Sequence, residues 1–193
     1  VSGWSFGGPY VAACAYKIPH RLTAAGIIAG IAPLSRPGAT RGMMRPARIT
    51  LWLGGRARWL LRPMVWQISR MLRSSPQRFL DKMLSALPEA DSELLSQMGL
   101  GTVLLEGASE MFRSGNRGPY WDGIAFLRPW GFRAEDIQMK VHLWQGDADR
   151  NVPMQMGEYY ASAIPNCAAA FYPGEGHFIF FSHTEEILGA LIS

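Results

Sequence analysis

A serine held between two glycines near the start of the chain, Gly3-Trp4-Ser5-Phe6-Gly7, constrains the fold more than any other feature. The residues before it, Val1-Ser2, read as the end of a buried strand. Residues 6–16 are small and apolar, with Ala12, Ala13 and Ala15, and read as a helix with Pro9 in its first turn, where a proline is tolerated. A serine presented between strand and helix needs a sharp turn with little side-chain bulk two residues to either side, which Gly3 and Gly7 supply. Ile18-Pro19-His20 ends the helix, and the apolar run 22–31 has strand length. An unbroken run of that kind fits a parallel strand covered on both faces. Strand, turn, helix, strand is a crossover unit of an α/β sheet.

Beyond residue 32 the pattern changes. Proline, glycine and serine mark a loop. Over 51–95, Trp52, Trp59, Met64, Trp66, Ile68, Met71 and Leu72 recur at three- and four-residue spacings with arginines between them. This reads as helix, with the Trp and Met stripe packed inside a helical insertion. Ser74-Ser75-Pro76 reads as a break and a new helix cap. Residues 106–113 and 120–126 read as further helices. The α/β grammar returns with strands at 139–144 and 168–172 and helices at 153–164 and 184–192. The expected fold class is therefore α/β, a mostly parallel sheet with helices on both faces. Its core segments are 1–33 and 139–193, and 34–138 is a helical insertion. With 193 residues and 48% hydrophobic content, the chain can bury a sizeable core.

Net charge is +4, but no Asp or Glu precedes Asp81, whereas the first 80 residues carry twelve lysines and arginines. Without a nucleic-acid motif this is read as a solvated arginine-rich face, with no nucleic-acid partner and no membrane contact expected. The longest apolar run, 24–34, is too short to span a bilayer. Cys14 and Cys167 form no disulfide framework. Set among small apolar residues, they are expected to be buried free thiols in a reducing compartment such as the cytoplasm. No metal-ligand cluster, phosphate loop or dinucleotide fingerprint occurs, so no metal or cofactor is expected.

A serine hydroxyl becomes a nucleophile when a histidine takes its proton, a carboxylate orients that histidine and backbone donors hold the oxyanion that forms. Ser5 would stand at the positive end of the following helix, with the Phe6 N–H as an oxyanion donor. The simpler alternative makes Ser5 a helix N-cap. An acidic loop, Gly146-Asp147-Ala148-Asp149, follows the 139–144 strand and offers Asp147 and Asp149; Asp136 precedes it. After the last strand comes Gly174-Glu175-Gly176-His177. The other histidines have plainer readings: His20 ends a helix, His142 lies inside a strand and His183 begins the last helix. Glu175 reads as a loop residue. Both loops fall at the carboxyl ends of strands, where open α/β sheets place their sites.

These motifs, in this order, resemble the α/β-hydrolase superfamily from its nucleophile strand onward. "GWSFGG" matches the nucleophile elbow, "GDADRNVP" is similar to the acid loop and "GEGHF" to the histidine loop. The resemblance implies Ser5, Asp149 and His177 as the catalytic residues, with Asp149 rather than Asp147 as the acid, Phe6 N–H in the oxyanion hole and the helical middle third as a cap. It also implies further strands and a second oxyanion donor upstream of the elbow. The N-terminal part of the same fold, or another chain, is accordingly expected against the elbow strand. The activity it implies is that of a carboxylesterase-like serine hydrolase cleaving a small ester or related acyl substrate through an acyl-enzyme on Ser5. The same triad also suits hydrolysis of a carbon–carbon bond, or a ligand-binding or scaffold protein that has kept the residues without the reaction.

Overall fold

The computed structural model describes residues 1–192. In chain order the elements are β1 (Ser2–Trp4), a 3-10 turn (Ser5–Gly7), α1 (Gly8–Lys17), β2 (Gly26–Ile28), α2 (Arg45–Arg56), α3 (Leu61–Ser74), α4 (Pro76–Leu84), α5 (Glu89–Gln97), α6 (Gly101–Met111), α7 (Arg117–Phe126), β3 (Val141–Gly146), α8 (Met154–Ala163), β4 (Cys167–Tyr172), α9 (Ile179–Ser182) and α10 (Thr184–Ile192). They form two compact units, one of Val1–Met44 with Pro129 onward, the other of Arg45–Arg128. Residues 34–44 and 129–138 therefore belong to the sheet unit. Met44 N–H donates to Arg150 O at 2.8 Å, Arg36 stacks over the Tyr159 ring at 3.8 Å, and Ile137 is wholly buried.

In the first unit the four strands lie in the order β1-β2-β3-β4, all parallel. Register and pleat give the sheet two apolar faces. Trp4, Ile28, Trp144 and Ala170 lie across from one another and point one way, toward Ile179 of α9 and Ile187 of α10. The alternate set, Gly3, Ile27, Leu143 and Ala169, points the other way, toward α1 and α8. Ile27 and Leu143 are fully buried there, with Val11 of α1 and Met156 of α8 also buried. Each such side chain contributes at most about 1.5–3 kcal/mol. Tyr160 of α8 is buried too, and its hydroxyl donates to Ile31 O at 2.6 Å; burial raises its pKa well above the usual phenol value.

Two expectations about this unit need correction. The first strand runs through Trp4, not only to Ser2. The second is three residues long rather than ten. Residues 25–32 are buried throughout, so the apolar run reports burial, not extended backbone. Ala29, at φ 43°, turns the chain out of the strand immediately after Ile28.

The cysteines are free thiols, but each is only partly buried, not fully as expected. Burial nevertheless raises the Cys167 thiol to a pKa of about 11. In a Cys14→Ser variant, alkylation of Cys167 by iodoacetamide should therefore keep rising about tenfold per pH unit from pH 8 to pH 10 as the thiolate fraction grows. A rate that levels off by pH 9 would contradict this.

In the second unit α3 packs against α4, α6 and α7. Leu61 and Leu72 of α3 are buried, as are Leu80, Leu95 and Ile124 of the other helices and Phe112 just after α6. α3 ends at Ser74 and α4 opens on Pro76, but Ser75 makes no side-chain cap hydrogen bond. The tryptophan stripe is not interior packing. Trp52, Trp59 and Trp66 are 56%, 70% and 51% exposed. Three- and four-residue spacing places side chains on one stripe of a helix, and here the leucines, not the tryptophans, occupy the buried stripe. Arg56 stacks over Trp52 and Arg70 over Trp66, one helical turn away in each case. Among the described residues, no helix is long and apolar enough to cross a membrane.

Candidate functional site

β1 delivers the chain to Ser5, whose φ of 57° lies in the left-handed region that side chains other than glycine rarely adopt. Such a conformation costs on the order of 1–3 kcal/mol and persists where surrounding structure imposes it. Here β1 holds one side, α1 begins three residues on, and Ile31 N–H donates to Ser5 O at 3.1 Å. The glycines on either side have unequal jobs. A Cβ at Gly3 would overlap the Gly7 carbonyl oxygen and lie 2.9 Å from Val11. Gly7 has an ordinary helical φ of −69°, and a Cβ there would meet nothing within 4 Å. The turn thus needs a glycine at position 3 for space, whereas position 7 carries no such steric demand, contrary to the symmetrical expectation.

His177 sits just beyond β4 and faces Ser5, with Nε2 2.9 Å from the Ser5 hydroxyl oxygen. Its Nδ1 lies 2.8 Å from Asp149 Oδ2. An ionised carboxylate can only accept, so Nδ1 carries the proton and Nε2 is left to accept from the serine hydroxyl. His177 and Asp149 are only 6% and 3% exposed, which keeps water from competing for these contacts. The other Asp149 oxygen, Oδ1, accepts the backbone N–H groups of Asn151 at 2.7 Å and Val152 at 2.8 Å. That arrangement aims Oδ2 at the imidazole.

Asp147 is exposed and points elsewhere. Its Oδ1 accepts Gly174 N–H at 2.7 Å, and its own N–H donates to Tyr172 O at 3.1 Å. It laces the acid loop to the histidine loop. Asp136 accepts the Arg133 N–H within the turn at 134–136. The remaining histidines lie away from Ser5. His20 is exposed in the turn Pro19–Arg21. His142 stacks on Trp144 in β3, its pKa lowered by burial and then by Lys140. His183 bridges Glu175 at 3.1 Å and Glu186 at 3.4 Å, its ring packed at a tilt against Tyr172. Burial and the hydrogen bond to Glu186 push the Tyr172 phenol up. This cluster ties the histidine loop to α10.

Two contributors were not singled out by sequence. Trp4, the residue before Ser5, donates its indole N–H to His177 O at 2.8 Å and packs tilted against the imidazole, ring centroids 5.1 Å apart. Gln145, fully buried, donates from Nε2 to Val152 O at 2.9 Å and lies 3.4 Å from Asp149 Oδ2. Nothing marks Gln145 in the sequence beyond a polar residue at the end of an apolar strand.

The arrangement can move a proton from a serine hydroxyl to an imidazole braced by a carboxylate. Solved structures with the same fold include a bromoperoxidase from Bacillus anthracis, with a TM-score of 0.65 and 18% identity, covering 99% of this chain and 64% of that one. An esterase from Rhodococcus sp. gives 0.56 at 18%, covering 98% and 64%. A thermophilic esterase from Thermogutta terrifontis gives 0.56 at 19%, covering 98% and 61%. The chain thus spans less than two thirds of the length of these structures. No curated protein sequence matches it. Residues 1–190 match the alpha/beta hydrolase family, and on that match over nearly its whole length the chain belongs to that family.

Proposed function

We propose that the protein is a serine hydrolase that cleaves a small ester or related acyl substrate. The observation that carries this reading is the continuous path from Ser5 Oγ to His177 to Asp149, at 2.9 and 2.8 Å. Ser5 Oγ attacks the acyl carbon while His177 Nε2 takes its proton. Asp149 stabilises the imidazolium that results. In this reading the Phe6 N–H, in the Ser5–Gly7 turn that leads into α1, donates to the oxyanion that forms, and the helix dipole adds to it. His177 then protonates the leaving alcohol, giving an acyl-enzyme. Water, deprotonated by the same imidazole, releases the acid and restores Ser5. The esterase neighbours support an acyl substrate at the level of fold, and the activity of the whole protein is part of this proposal.

A fluorophosphonate probe tests it. Labelling is expected to map to Ser5 and to vanish in Ser5→Ala, with p-nitrophenyl acetate turnover falling about 10⁴-fold or more. An unlabelled protein, or turnover that survives in Ser5→Ala, would remove the acyl-enzyme reading.

A further inference from the structure

We propose that the helical unit carries a ligand site of its own, for an apolar carboxylate. A cavity of about 600 Å³ opens between α3 and α7, within the range of small-molecule sites. Arg62, Val65 and Trp66 reach it from one stripe of α3, three and four residues apart. Tyr120 and Trp121 reach it from α7, meeting edge to face at 5.2 Å. These rings leave apolar surface open to solvent: Trp66 is 51% and Trp121 53% exposed. Their faces suit the flat or flexible apolar body of a ligand, not interior packing.

The charge at the cavity is positive and unanswered. Arg62 lies over the Tyr120 ring at 5.2 Å, and Arg117 opens α7 at its positive end. Neither guanidinium has a carboxylate within ion-pair distance among the described residues. No acidic residue occurs from 45 to 80, so the α3 side offers none. A guanidinium fork matches a carboxylate with two parallel hydrogen bonds. This inference is independent of any role for Ser5.

Isothermal titration of the full chain with N-decanoylglycine tests it. N-decanoylglycinamide lacks the charge. N-decanoylglycine is expected to bind at least about tenfold more tightly than its amide, the margin of one charge-assisted pair. Arg117→Gln, at an exposed position, should erase the margin over the amide, whereas Arg113→Gln, whose guanidinium pairs with Glu110 at 2.7 Å outside the cavity, should leave it intact. Equal binding of the acid and its amide, an unchanged margin in Arg117→Gln, or an equal loss in Arg113→Gln would each overturn the proposal.

Discussion

Asp149→Asn is expected to lower kcat for p-nitrophenyl acetate by about 10⁴-fold while leaving the fold in place. The asparagine oxygen can still accept from Asn151 N–H and Val152 N–H, the two bonds at 2.7 and 2.8 Å that shape the loop. Its NH₂ group would then stand where Asp149 Oδ2 faces His177 Nδ1. Two donors cannot meet there, so the imidazole shifts its proton to Nε2 and can no longer accept from Ser5. The Gln145 amide, 3.4 Å from the same oxygen, adds a second donor to that conflict. Circular dichroism and thermal unfolding should change little. A kcat within tenfold of the parent would show that Asp149 does not orient the base. The matching change Asp147→Asn should cost far less, because that side chain holds Gly174 N–H and can do so through its amide oxygen.

Gly146→Ala should damage the site through the backbone. Gly146 is the last residue of β3, and the histidine loop lies directly against it. A Cβ there would overlap the Glu175 carbonyl oxygen and stand 2.6 Å from its carbon and 2.7 Å from the Gly176 oxygen. These are main-chain atoms, so no rotamer change relieves the clash. The loop must move outward, and Ala148 N–H, which donates to Glu175 O at 3.0 Å, moves or lets go. His177 is next but one to Glu175, so a shift of about 1 Å opens the Ser5 contact, which costs about a hundredfold in rate. Overpacking of this kind destabilises by about 1–3 kcal/mol. The same substitution at Gly189 in α10, where a Cβ meets open space, is the control. A helix-interior Gly→Ala change there should be neutral or stabilising by up to about 1 kcal/mol. If Gly146→Ala matched Gly189→Ala in urea stability and in kcat, the close approach of the two loops would be irrelevant.

Much of the site was legible because its parts are local. A strand-to-helix turn needs a small residue beside it, and Gly3 announces one. Loops at the ends of parallel strands are rich in glycine and aspartate, and those around Asp149 and His177 stand out for that reason. The parallel sheet was legible from one apolar run without alternation, 22–31, the mark of a strand buried on both faces, and β2 within it is buried throughout.

What stayed hidden depends on distance through space. Residues 22–31 look like one strand, yet only Gly26–Ile28 pair, because backbone geometry at Ala29, not hydrophobicity, ends the ladder. The tryptophans of α2 and α3 have core-like spacing, yet Trp52 and Trp66 lie open, because periodicity fixes a stripe but not which stripe meets the interior. The order of Ser5, Asp149 and His177 was determined by the sequence alone, as were the strands they follow. That Asp149, and not Asp147, lies 2.8 Å from the imidazole was decided by the tertiary structure. So was the bracing of that pair by Trp4 and Gln145, residues 173 and 4 positions from their partners. Hydrogen bonds act over about 3 Å, and which groups come within that reach is set only when β1, β3 and β4 assemble into one sheet.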